Sequence, residues 1–331
     1  MKSRARLNVE IASFGSFLPD RVLTNQDLAK MVDTSDEWIT QRTGVKERRI
    51  SSEDQATSDL AIPAARQALE KAGMSGKDMD MILVGTSTPD YMFPATACLV
   101  QAAIGAENAA CYDVSSACTG FMSVLVQGAV FVAGGHCETV MVIGADALTK
   151  FVDYTDRRSC ILFGDGAGAV ILRRSCNGGE VLYVEMGSDG SRPEVLFFPG
   201  SGSRMRLSTD IRSENGPFFE LQGREVFKCA VNKLGELVLR IPDETGIPLS
   251  SIKAIIPHQS NERIIRSVCE RGGIDAQKAY MNIDRVGNTT CASIPIAFRE
   301  AVDKGLVARG DLVLLLAFGG GLTWASMLLR Y

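Results

Sequence analysis

A fixed offset of 173 residues lays one half of this chain on the other. "KAGMSGKDMDMILV", ending at Val84, aligns without a gap on "ETGIPLSSIKAIIP", ending at Pro257. In the same register "NVEIASFGS" from Asn8 overlies "VLYVEMGSD" from Val181, "CETVMVIG" from Cys137 overlies "GDLVLLLA" from Gly310, and Cys118 overlies Cys291. The closing segments "GAGAVILRR" and "TWASMLLRY" correspond at an offset of 157, because the first half carries about 16 extra residues around "KFVDYTDRRSC". One register held over separated blocks marks a duplication, which constrains the fold more than any single segment can.

Each half predicts β-α-β-α-β-β, with residues 1–178 as the first unit and 179–331 as the second. The runs "MILVG", "TVMVIGA", "KAIIP" and "LVLLLAFG" are apolar throughout rather than alternating, so they predict strands buried on both faces of a mixed, largely parallel sheet. Two such sheets covered by helices give a layered α-β-α-β-α architecture. Strand ends from both halves then converge on one site.

Composition narrows the class of function. The 331 residues carry 46% hydrophobic and 22% charged side chains, enough for a large core, and no window approaches the ~20 apolar residues of a membrane span. The start, "MKSRARLNVE", has no apolar signal core, so the expected location is the cytoplasm. Nine cysteines are scattered without a C-x-x-C pair, which argues for reduced thiols and against a zinc site or a disulfide framework. A net charge of -4 disfavours nucleic acid as a partner, although a local basic patch can still meet an acidic one.

Four features could carry chemistry. Cys118, in "SSACTGF", sits where the strand "CYDV" stops and a helix starts. It is either a small buried hydrophobe or a nucleophile whose thiolate the helix N-terminus favours, with a backbone N–H placed for an oxyanion. The chain has two histidines. His136, in the turn "GGHCE", reads as solvated, whereas His258 follows "KAIIP" at the strand end where α/β sites open, and is either a base or a core histidine. Asn288 lies in "VGNTTCASIP", just before Cys291, and by itself would pass for a turn residue. The glycines of "AFGGGLTW" could aim N–H groups at a carbonyl oxygen.

Taken together, "LPDRVLTNQDLAKMVDTSDEWITQRTGVKERRI", "DVSSACTGF", "ILFGDGAGAV", "GREVFK", "PHQSNERI", "GNTTCASIP" and "AFGGGLTW" resemble the β-ketoacyl-acyl-carrier-protein synthase III family of thiolase-fold condensing enzymes over nearly the whole chain. The resemblance implies that Cys118 accepts an acyl group from acyl-coenzyme A. A malonyl thioester on acyl carrier protein is then decarboxylated and attacks that acyl group, initiating fatty-acid synthesis. It further implies that His258 and Asn288 stabilise the enolate, that the N–H groups of Cys118 and Gly320 form the oxyanion hole, and that no metal or redox cofactor takes part. Position 288 is Asn and no third histidine exists, unlike elongating synthases; "GGGLTWASMLL" holds no second thiolase-type cysteine, and Cys291 reads as packing. A specialised ketosynthase or acyltransferase of secondary metabolism, or a noncatalytic partner, are the competing readings.

The same resemblance places coenzyme A against Trp38, Arg42, Arg157 and Asn261. It places the carrier protein against Gln259, Ser260, Asn261, Glu262, Arg263 and Lys228, with Arg266 nearby. Phe93, in "DYMFPATA", matches a position that reaches across a homodimer interface and limits the acyl pocket, implying a short primer such as acetyl. Glu262 departs from the apolar residue common at that position.

Overall fold

The computed structural model describes residues 1–3, 6–200, 202–203 and 218–331. In chain order its longer elements are β1 (Lys2–Ser3), β2 (Val9–Phe17), α1 (Asp36–Thr43), α2 (Thr57–Ala72), β3 (Met81–Gly85), α3 (Thr96–Ile104), β4 (Ala110–Val114), α4 (Gly120–Ala133), β5 (Thr139–Asp146) and β6 (Gly166–Arg174). The second half continues with β7 (Glu180–Ser188), α5 (Gly223–Thr245), β8 (Ala254–Pro257), α6 (Glu262–Gly272), α7 (Ser293–Asp303), β9 (Leu312–Gly319) and β10 (Thr323–Arg330).

Two five-stranded sheets result, ordered β2-β6-β5-β3-β4 and β1-β7-β10-β9-β8. Without β4 and β1 the two orders coincide. Strand directions match as well, with two antiparallel pairings followed by a parallel one: β2/β6, β6/β5, β5/β3 in the first sheet and β7/β10, β10/β9, β9/β8 in the second.

The halves depart from the expected β-α-β-α-β-β unit. Each places two of the longer helices, not one, between its second and third shared strands, the two sheets hold more antiparallel than parallel pairings instead of being largely parallel, and the edges differ. The first adds β4, parallel to β3. At the same offset the second has a short helix, Ile283–Val286, because the chain beyond it is bound to the other half: the Asn288 N–H donates to Leu162 O at 2.9 Å and the Asn288 carbonyl accepts from Gly164 N–H at 3.0 Å. The second sheet takes its fifth strand from β1, whose Lys2 and Ser3 pair with Glu185 and Val184.

Burial explains why the strands read as unbroken apolar runs. In β9, Val313, Leu315 and Ala317 face a central layer while Leu314, Leu316 and Phe318 face outward. In β5, Val140 and Val142 face the centre and Met141, Ile143 and Ala145 face α2. Both sides of each sheet are therefore covered. The central layer consists of α4 and α7, with Phe121, Val124, Leu125, Ile294 and Phe298 packed between the sheets. A fully buried side chain of this size contributes about 1.5–3 kcal/mol. Outside, α2 covers the first sheet through Leu60, Ala64 and Ala68, and α5 and α6 cover the second through Leu237, Ile241 and Ile265.

Backbone contacts between the halves leave no room for a side chain at certain glycines. A Cβ on Gly144 would collide with the Cys291 carbonyl, and within the first half one on Gly85 would lie 2.5 Å from the Gly120 carbonyl carbon. Gly144→Ala is therefore expected to destabilise the protein by about 1–3 kcal/mol, in the manner of other overpacked cores. Chemical denaturation monitored by circular dichroism measures it; an unchanged midpoint would refute the close approach.

Candidate active site

Cys118 lies in the tight turn Ala117–Thr119 between β4 and α4, and Ala117 takes a left-handed φ of +44° to start it. The related turn in the second half, Thr290–Ala292 before α7, begins with Thr290 at +47°. Non-glycine residues rarely adopt this conformation, so each turn must be held by its surroundings. The two turns hold each other. Cys291 is buried, its thiol donates to the Ala117 carbonyl at 3.1 Å, and a Cβ on Gly120 would sit 2.8 Å from its sulfur. Cys291 thus packs behind the Cys118 turn and offers no second nucleophile to the cavity.

His258 follows β8 and extends its parallel ladder, donating its backbone N–H to Leu316 O at 2.7 Å. The side chain is buried, and among the described residues neither Nδ1 nor Nε2 has a partner. Asn288 is also buried, with its Oδ1 accepting from the Thr290 N–H at 2.9 Å. That bond fixes the amide and leaves its NH2 group as the donor that remains. Cys118, His258 and Asn288 all line one cavity of about 110 Å³, whose other walls include Phe163, Phe219, Phe227 and Phe318. The glycine loop after β9 closes it: a Cβ on Gly319 would lie 2.8 Å from the Cys118 backbone nitrogen, and one on Gly320 would lie 3.5 Å from the Ala117 Cβ.

The electrostatics of Cys118 differ from the expected lowered pKa. Burial, reinforced by the nearby Asp146 carboxylate, pushes the thiol up to about 12. Burial pulls His258 down to about 4. The helix N-terminus is outweighed by desolvation, and the enclosed pair is a neutral thiol and a neutral imidazole.

A wider groove of about 780 Å³ adjoins this cavity, and Leu162, Leu221, Gly223, Phe227 and Asn261 line both. Trp38, Arg42, Arg157 and Asn261 line the groove, and with them Arg263, which the resemblance places against the carrier protein. The Arg42 and Arg157 guanidinium carbons lie 4.8 and 5.1 Å from the Trp38 ring centre. Trp38 is oriented by α1, where the Ser35 side chain caps its N–H at 3.1 Å. Arg158 and Arg224 also line the groove. Neither was expected from the sequence, although Arg224 lies within "GREVFK", one of the segments that carry the resemblance. Arg157 and Arg158 have carboxylate partners in Asp33 and Asp156, whereas among the described residues Arg42, Arg224 and Arg263 have none. Such a groove suits an anionic ligand.

The residues expected to receive a carrier protein separate. Gln259 is fully buried: its side chain donates to the carbonyls of Pro257 and Tyr280 at 2.9 and 3.0 Å and accepts from the Asn282 N–H at 3.0 Å. It holds the His258 loop and cannot meet a partner at the surface. Ser260 lines the inner cavity, and Asn261 caps α6 while donating to Arg42 O at 3.1 Å. Lys228, Arg263 and Arg266 are exposed, and Arg266 is paired with Glu262 at 2.7 Å. Glu262 also packs against Gly44, whose left-handed φ of +83° ends α1. His136 is exposed, and Phe93 is 85% exposed, outside the cavity of its own chain.

Family profiles described as 3-oxoacyl-[acyl-carrier-protein] synthase III match residues 112–190, and its C-terminal part matches residues 243–331. The β-ketoacyl-[acyl-carrier-protein] synthase III of Caldanaerobacter subterraneus subsp. tengcongensis is 47% identical over 321 residues, 97% of each chain. This chain belongs to the 3-oxoacyl-[acyl-carrier-protein] synthase III family. Among solved structures, the synthase III of Aquifex aeolicus VF5 superposes with a TM-score of 0.90 at 43% identity, covering 98% of this chain and 100% of that one. A priming β-ketosynthase of the R1128 polyketide pathway gives 0.90 at 30% identity, covering 100% and 98%. The layered thiolase-type fold that the resemblance implies is the fold of these relatives.

Two outcomes follow from the electrostatics. With the thiol near 12, alkylation of Cys118 by iodoacetamide should rise about tenfold per pH unit between about pH 7 and 9; a plateau beginning below pH 7 would mean a preformed thiolate. The folded-state pKa of His258 lies below its ordinary value of 6.5, so the unfolded chain binds the extra proton as pH falls between 6.5 and about 4. Stability is therefore lost across that window. His258→Gln should show a smaller loss there in denaturant titrations.

Proposed function

We propose that this chain is a β-ketoacyl-acyl-carrier-protein synthase III that condenses a short acyl-coenzyme A, acetyl-coenzyme A foremost, with a malonyl thioester on acyl carrier protein to give a 3-oxoacyl-carrier protein. The observation that carries the reading is the convergence of Cys118, His258 and Asn288 on one apolar cavity that continues into an arginine-lined groove. The groove residues Trp38, Arg42, Arg157 and Asn261 would hold the nucleotide and pantetheine of coenzyme A, while Lys228, Arg263 and Arg266 would attract the acidic carrier protein.

In the first step the Cys118 sulfur attacks the thioester carbonyl, its proton passes to the neutral His258 imidazole, and that proton leaves with the coenzyme A thiol. Backbone N–H groups at Cys118 and Gly320 would stabilise the intermediate oxyanion. In the second step the malonyl thioester loses carbon dioxide and its electron pair becomes an enolate. The Asn288 amide and the His258 N–H donate to that enolate, which attacks the acyl carbon and expels the Cys118 sulfur as a thiolate; one proton taken up from solvent then restores the neutral thiol. The carbon–carbon bond takes its electrons from the broken carbon–carboxylate bond, so the reaction needs neither a redox cofactor nor a metal.

We also read the molecule as a homodimer of duplicated chains with boundaries at residues 1–178 and 179–331. β4 is a sheet edge with free backbone groups, and beside it Tyr91, Met92 and Phe93 are exposed by 60, 81 and 85%. A Phe93 ring crossing to the partner's acyl pocket would cap primer length. Among the described residues no helix is long and apolar enough to cross a membrane, in keeping with a cytoplasmic site of action. A secondary-metabolism ketosynthase is the alternative, resting on the likeness to the R1128 enzyme at a lower identity.

Cys118→Ser is expected to abolish acyl labelling by acetyl-coenzyme A in intact-mass spectrometry, and label persisting on that variant would remove the nucleophile assignment. His258→Ala should retain part of the acylation while losing malonyl decarboxylation. A panel of acyl-coenzyme A primers offered with malonyl-carrier protein distinguishes the pathways, since lack of a 3-oxoacyl product from every primer would sink the condensing reading.

A further inference from the structure

Asp146, at the end of β5, is completely buried and lacks a cationic partner among the described residues. Its Oδ1 accepts from the first half: from the hydroxyls of Thr86 and Thr88, both at 3.1 Å, and from the N–H groups of Ser87 and Thr88, at 2.7 and 3.2 Å. Its Oδ2 accepts from the second half, from the Thr290 hydroxyl and from the Cys291 N–H at 2.9 Å. The carboxylate is thus fully engaged, with one oxygen turned to each half.

The second set of bonds bears on chemistry. Thr290 is the β-branched residue at φ +47°, a conformation such residues avoid. Its N–H is the group that fixes the Asn288 amide by donating to Oδ1 at 2.9 Å. Removing the grip on its hydroxyl lets Thr290 relax toward ordinary backbone angles, which carries the N–H away and frees the amide to turn. The link to Cys118 is weaker, since it runs through the poor thiol donor of Cys291 to the Ala117 carbonyl.

We propose that Asp146 is a positioning residue for the decarboxylating step, acting through Thr290 to hold the Asn288 amide toward the enolate. The proposal rests on the condensing reading above, in which Asn288 is the enolate donor. The Thr290 contact has little part in the first step, because acylation at Cys118 does not use the Asn288 amide; the effect of the Asp146 carboxylate on the Cys118 thiol is separate and does not pass through Thr290.

The test uses the full-length protein with Thr290→Val, which keeps the shape and removes the hydroxyl, and Thr290→Ser, which keeps the hydroxyl. Decarboxylation of malonyl-carrier protein, Cys118 acylation by acetyl-coenzyme A and the melting temperature are measured on each. Thr290→Val is expected to lower the decarboxylation kcat by about tenfold or more with KM within about twofold, while acylation stays within about twofold. Thr290→Ser should restore decarboxylation. Folded Thr290→Val decarboxylating at the wild-type rate would overturn the proposal, as would equal losses in both half-reactions tracking the melting temperature. Should Thr290→Val fail to fold, Thr290→Ala is judged by the same criteria. Wild-type protein that acylates but never decarboxylates would remove the condensing reading itself, an outcome distinct from the variant results.

Discussion

Everything near the reactive cysteine depends on backbone approaching backbone closer than any side chain permits. Gly144 meets the Cys291 carbonyl, Gly85 meets Gly120, and Gly319 meets the Cys118 nitrogen. Gly85 and Gly319 end β3 and β9, and Gly144 lies near the end of β5, just before Asp146, so the ends of both sheets are pressed onto the two turns that lead into the central helices. The turns are in the left-handed conformation at Ala117 and Thr290, which the packing must maintain against local preference.

The same enclosure governs the charges. A thiol at a helix start in water would ionise more readily than usual, but aromatic walls and the Asp146 carboxylate reverse that tendency. Burial alone keeps His258 neutral, with both ring nitrogens uncommitted among the described residues. A site that begins neutral leaves its donors free to meet negative charge when it forms on a bound thioester.

Much of this was legible in the residues. Runs such as "MILVG" and "LVLLLAFG" announced strands covered on both sides, and the offset that overlays Cys118 on Cys291 announced two matching turns. Cys118 and His258 follow strand ends, where α/β folds gather their sites, whereas Asn288 follows the short helix Ile283–Val286 that stands in place of a strand. Other properties depend on partners remote in sequence. Gln259 has the look of a surface residue between His258 and Ser260, and only Tyr280 and Asn282, brought alongside by folding, explain its burial. The two residues of β1 are too few for any periodicity, yet they complete a sheet at Val184 and Glu185. The thiol's raised pKa is a sum over walls contributed by both halves, which no local motif encodes.

Because α4 and α7 form one layer between two sheets, neither half can hide its apolar helix alone. A single ancestral unit would have had to marry a copy of itself, with both of its turns the same by symmetry. A single chain that carries both turns is free of that obligation. One turn could then specialise as the carrier of the reacting sulfur and its twin as the strut behind it, a division of labour closed to any pair of identical chains.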